Sequence, residues 1–334
     1  MRKKLLAGIL ALALCSANMP IQTIFAEEFT SGNPDIVSEE ETPEIFTNEE
    51  QETAGETDEE LSVFSSEEVP EFNDTPDEAM AAAENTQIKE IDLINSNEVK
   101  NGVYTISSAG DYKFTCSNSQ ETANRIVVDG TKISEKDNIK IYLDNVNINT
   151  SAGPALQINY GVEAIVTIYL TGTNNLITKN NWYAGLQKVN KALLRITTNA
   201  LDTTAGILNA SSIDGDGAGI GGGLHGSCSN ITIDSVSVIA SSKHGAGIGG
   251  GNNGTGSNII INSGSVTASS TDGAGIGGGI NKAGSNITIN SGSVTASSTD
   301  GAGIGGGINK AGSNITINSG SVTASSTDGA GIGG

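Results

Sequence analysis

Few side chains in this 334-residue sequence are spaced for chemistry. The two histidines, His225 and His244, are isolated in the sequence. Of the three cysteines, Cys15 lies in an apolar leader, and Cys116 and Cys228 have no nearby partner. This is not metal-ligand spacing, and a disulfide between two cysteines about four repeats apart is out of reach. Asp272, Asp300 and Asp328 recur at a fixed interval, with Asp216 and His244 at the two earlier positions. Such a row is expected to be solvated; calcium is a possible bridge, but DGAGIGGG does not place its Asp as calcium-binding nonapeptides do. Lys282 and Lys310 sit in a repeated bend without acidic neighbours in their own turn. No residue is therefore assigned a catalytic or metal-binding role, and no cofactor is expected.

Each GAGIGG satisfies GxGxxG, yet a dinucleotide turn needs a strand before it, a helix opening at it and an acidic residue some 20 positions on. Here a strand-like run follows and the pattern recurs, so no nucleotide or nucleic-acid partner is expected. Binding chemistry of another kind remains. Trp182, the single tryptophan, and Tyr183 occupy a corner where later repeats read Asp-Gly, and exposed aromatic rings can stack on a sugar. Asn286, Thr288 and Asn290 form one alternating polar row, and Ser293, Thr295 and Ser297 another. Trp182, Tyr183, Asn286, Thr288, Asn290 and Thr295 are the candidate ligand-binding residues.

The elements that position these residues follow from one repeat. Asp272 to Thr299 recurs letter for letter from Asp300 to Thr327, a period of 28, and GAGIGG stands at Gly217, Gly245, Gly273, Gly301 and Gly329. Constant spacing of this kind marks a stacked solenoid. Within one period the apolar residues fall two apart, as Ile287 and Ile289, Val294 and Ala296, and Ala274 and Ile276, with turn residues between. Three strands and three corners make one coil. Stacked about 4.8 Å apart, such coils give an all-β fold, a parallel β-helix solenoid. Its core ladders are expected to be Ile233 to Ile317, Val238 to Val322, Ile220 to Ile332 and an alanine ladder from 218 to 330.

These GAGIGGG-bearing repeats resemble those of Gram-positive surface proteins, including the group described as carbohydrate-binding β-helix domains. The resemblance covers roughly residues 100 to 334, with NGVYTIS, IYLDNVNINT, VTIYLTGTNNL and AGLQKVNKALLRITT similar to its less regular first coils. It implies an exported, non-catalytic module for carbohydrate binding or adhesion, its partner a polysaccharide or a host or cell-surface glycan. A passive stalk is the first alternative. A polysaccharide lyase is the second, though such enzymes need clustered carboxylates for calcium and a basic residue to take a proton. Ice binding by the Ser and Thr rows is a further alternative, without a regular two-Thr row to support it.

MRKK followed by LLAGILALALCSA reads as a secretory leader cleaved after Ala26, too short to span a membrane. A secreted or cell-surface location follows. Residues 27–86 carry 21 Asp and Glu and no Lys or Arg, an acidic linker expected to be disordered because it cannot bury enough surface to offset its ordering entropy. The net charge of −21 belongs mostly to it, since the rest beyond residue 86 holds 17 acidic and 14 basic residues. A short helix is expected over 77–93 and a cover for the solenoid over 87–124, with the β-helix beginning near residue 100. Irregular coils over 125–216 and regular ones over 217–334 complete the expected division. The sequence stops at Gly334 within a GAGIGG strand, so further coils and an anchor are expected to follow.

Overall fold

The computed structural model describes residues 87–188, 191–199 and 206–334. The expected secretory leader and acidic linker lie outside them. The described chain winds through three parallel sheets of nine, seven and nine strands, visited in the same order in each regular coil. In the coil that starts at Gly284, Gly284–Ile289 joins the first sheet, Ser293–Ser298 the second and Ile304–Gly305 the third, before Ser313–Ile317 returns to the first. The expected parallel β-helix is what forms. Among the described residues no helix is long and apolar enough to cross a membrane.

Alternation explains the strands: Ile287, Ile289, Val294 and Ala296 point inward and are buried, while the residues between them face out. In the first sheet one inward ladder runs Tyr112, Ile141, Ile168, Ile196, Ile233, Ile261, Ile289 and Ile317. Its steps are 29, 27, 28 and 37 residues before settling at 28. Ile317 and Ile332 are exposed, at 41% and 47%. At the other end Tyr104 meets Phe114 edge-on at 5.2 Å, large rings filling the first coil.

Three expectations are corrected. Lys89–Asp92 is a strand, not the end of a helix, and pairs in parallel with Tyr112–Thr115. Its Ile91 and the following Leu93 enter the core, and burying them outweighs a weak helical pattern. The solenoid therefore starts before residue 100. Val103–Ile106 and Gly110–Thr115, expected as a cover, lie in the third and first sheets and form coil themselves. The GAGIGG strand is shorter than expected: two residues, Ile276–Gly277 in the regular coil, pair with the next coil.

The third sheet dictates its glycines. Gly277 has φ +136°, and a Cβ there would lie 2.1 Å from the Gly305 carbonyl oxygen of the following coil. No side chain fits that gap. The corner before it is held by a buried serine: Ser298 Oγ donates to the Gly273 carbonyl at 2.7 Å and accepts from Gly301 N–H at 3.0 Å. Ser270 and Ser326 repeat the arrangement one coil either side.

Gly277→Ala is expected to lower the melting temperature, followed by circular dichroism, by about 5 °C or more, a loss of roughly 2 kcal/mol. Ser298→Ala, which strands a buried carbonyl and an N–H, is expected to cost about 1–3 kcal/mol. The exposed Thr295→Ala should change stability by about 0.5 kcal/mol or less. A Gly277→Ala melt that overlays the wild type would contradict the close approach.

Candidate functional site

The coils of unequal length build a groove. Trp182 and Tyr183 form the corner leading into Leu186–Lys188 of the third sheet. The corner is fixed locally, because Asn180 Oδ1 accepts from Trp182 N–H at 3.1 Å and Thr178 Oγ1 accepts from Asn180 N–H at 3.1 Å. It is also tied to the next coil: the Trp182 carbonyl accepts from Leu224 N–H at 2.7 Å, and the Tyr183 carbonyl from Ser212 Oγ at 2.9 Å. The backbone is held while the indole stays 61% exposed.

Tyr160, from the preceding coil, is 87% exposed, and His225, from the following one, takes a left-handed φ of +60°. With Leu224 and Ser227 they border a groove of about 540 Å³ whose inner surface includes Gln187. Leu186 and Lys188 point into the core, so Gln187 between them points out beneath the aromatic corner. Gln187 is only 7% exposed, and its Oε1 accepts from Ala184 N–H at 3.2 Å. A Cβ on Gly223 would stand 2.7 Å from that oxygen and 2.8 Å from the Trp182 carbonyl, so glycine keeps this side of the groove open.

A family model described as Beta helix repeat matches residues 259–280, 287–308 and 315–334. Together with the three parallel sheets, this makes the chain a β-helix repeat protein. Searches among curated proteins and among solved structures found no match. The matched segments are the regular coils; the aromatic groove lies before them.

The residues singled out from the sequence fall on separate faces of this β-helix repeat protein. Trp182 and Tyr183 enter the groove, Asn286, Thr288 and Asn290 lie on the first sheet, and Thr295 lies on the second. Thr288 is half-buried and Thr295 exposed, in the outward column Thr267, Thr295 and Thr323. Asn286 differs from an ordinary strand residue. It has φ +52°, as Asn230, Asn258 and Asn314 are left-handed in their coils, and the strand register steps over it between Ser285 and Ile287. Its Nδ2 donates to Asn258 Oδ1 at 3.0 Å and its Oδ1 accepts from Asn314 Nδ2 at 3.0 Å. Asn290 does the same between Asn262 and Asn318, at 2.7 Å on each side. These amides bond chiefly to their own copies.

Sequence reading missed Tyr160, Gln187 and Lys188. Tyr160 becomes a neighbour of Trp182 only through irregular register, with Gln157, Gln187 and Gly221 aligned at steps of 30 and 34 residues, while Gln187 follows Trp182 on the same coil. Lys188 has no exposed surface, and its Nζ donates to the Ser229 carbonyl at 2.5 Å. Burial pushes its ammonium pKa down, partly offset by Cys228. Cys228 and Cys116 are both buried and free.

The acidic corner carries a second set of charges. His244 Nδ1 bonds Asp272 Oδ2, so this histidine is not isolated, and Asn252 Nδ2 donates to Asp216 Oδ1 at 2.6 Å. Among the described residues no group of three His, Cys, Asp or Glu is placed to hold a metal ion. Asp300 has its carboxyl pKa raised, first by desolvation in the corner and then by the carboxylates of Asp272 and Asp328. A carboxyl raised in the folded state binds its proton more tightly there than when unfolded. Its contribution to stability therefore grows as pH falls through the raised value towards the ordinary 3.8, and is lost above that window. Asp300→Asn is accordingly expected to melt higher than the wild type at pH 7, with the gap closing on titration to pH 4. A gap that widens on acidification would show that the column is not strained by its charge.

Proposed function

We propose that this chain is an extracellular, non-catalytic carbohydrate-binding module, and that the Tyr160–Trp182–Gln187 groove is where it engages a polysaccharide. The observation that carries this reading is the groove itself: an indole held by its backbone with its ring in solvent, a second exposed aromatic, and a polar amide between them. Leaving such rings exposed forgoes the burial that stabilises most aromatics, whereas a sugar presents an apolar face to cover them. The groove is open, not enclosed, which suits an internal stretch of a long chain. The secretory leader and the resemblance to exported surface proteins support an extracellular setting.

The regular coils support the reading differently. Their outward Ser, Thr and Asn rows carry little charge and repeat at the spacing of the strands, about 4.8 Å. Single hydrogen bonds to such rows are worth about 1 kcal/mol or less in water, so they add affinity only when several coils engage one extended ligand.

Pull-down on insoluble polysaccharides is expected to retain the wild-type protein, and Trp182→Ala to weaken retention about tenfold, as loss of roughly 1.4 kcal/mol implies. Retention unchanged in Trp182→Ala would move binding away from the groove. Failure on every glycan tested would leave a passive stalk, and release of unsaturated oligosaccharides would indicate a lyase.

A further inference from the structure

The outer face at Gln187 narrows the ligand. Because Gln187 Oε1 accepts from Ala184 N–H, the orientation of the amide is set, and Nε2 is the end left to the groove. Among the described residues Nε2 has no protein partner, and it is not one of the fully buried unpartnered atoms, so it keeps access to the groove. A donor placed there can bond a ligand in exchange for water. We propose that the groove recognises an acetamido group, so that the ligand is a neutral glycan containing N-acetylated amino sugars, an inference that rests on the carbohydrate-binding reading above.

The surroundings of Nε2 favour this group over a plain hydroxyl and over charged sugars. An acetamido carbonyl can accept from Nε2, the donor that the Ala184 bond leaves to the groove. Its methyl group matches the apolar surface of Trp182, Tyr160 and Leu224 beside the amide, where a hydroxyl would lose hydration. No Asp, Glu, Lys or Arg borders the groove, whose titratable side chains are His225 and the phenols of Tyr160 and Tyr183, so it offers no fixed counter-charge to a uronate or to a free amino sugar.

The full chain contains one tryptophan, at the groove, so its fluorescence reports occupancy of this site directly. Titration with an N-acetylated chito-oligosaccharide is expected to shift the Trp182 emission, with an affinity at least tenfold above that for a cello-oligosaccharide of equal length and for the deacetylated chain. Gln187→Glu keeps an oxygen for Ala184 N–H and replaces the donor by an acceptor. It is expected to abolish the preference, with a lower melting temperature because a carboxylate replaces a neutral amide that is 7% exposed. Equal affinity of the wild type for the acetylated and plain glucan chains would overturn the acetamido assignment and leave the carbohydrate reading standing. No response to any of the three chains, with no retention on insoluble polysaccharides, would overturn both. Should Gln187→Glu not fold, the wild-type comparison decides alone.

Discussion

The regular coils depend on one close approach, the bare Cα of a third-sheet glycine against the carbonyl of the coil that follows. Gly221, Gly249, Gly277 and Gly305 all have φ between +136 and +140°, and a Cβ on any of them would stand about 2 Å from the next glycine oxygen. Nothing but hydrogen fits. The chain can consequently pass through the third sheet as a two-residue strand, and the alanines 218, 246, 274 and 302 are buried with it. A narrow third side also brings the second-sheet corner within reach, which is why a serine at 270 or 298 can bridge two backbone groups there.

That constraint was legible because it is repeated. Five copies of GAGIGG and an unvarying period imply stacking, and the alternation of Ile287 with Ile289 and Val294 with Ala296 implies which side faces in. Residues whose role depends on the coil above or below were harder to read. Asn286 looks like any outward strand residue, yet its left-handed backbone is stabilised by amides one coil away on each side. Ser298 reads as turn chemistry, and only the stacked coil shows that it is buried and bonded. Lys89–Asp92 has little pattern of its own, because four residues are enough for a strand when the partner strand already exists.

The groove was legible in part. Trp182 and Tyr183 stand out as a departure from Asp-Gly, but nothing in their neighbourhood of sequence names Tyr160, 22 positions before, or His225, 43 after. Unequal coils make that meeting possible. Where every step is 28 residues, each outward side chain faces a copy of itself, and the surface can only be a set of uniform columns. Steps of 30 and 34 residues break the columns and bring unlike residues together, as a convergent site requires. The irregular coils thus hold the chemistry, and the regular ones hold length.

The stacked asparagines have a directional consequence. In the column Asn230, Asn258, Asn286 and Asn314, the Nδ2 of Asn258, Asn286 and Asn314 each donates to the Oδ1 of the asparagine one coil before. Aligned amides polarise one another, so each added member strengthens those already present. The column has a direction: each bond is donated by the later coil and accepted by the earlier one. A coil joining this stack must arrive oxygen-to-hydrogen, and a coil presented upside down meets like against like. Growth along the axis therefore has an arrow, written in side chains as well as in the parallel backbone.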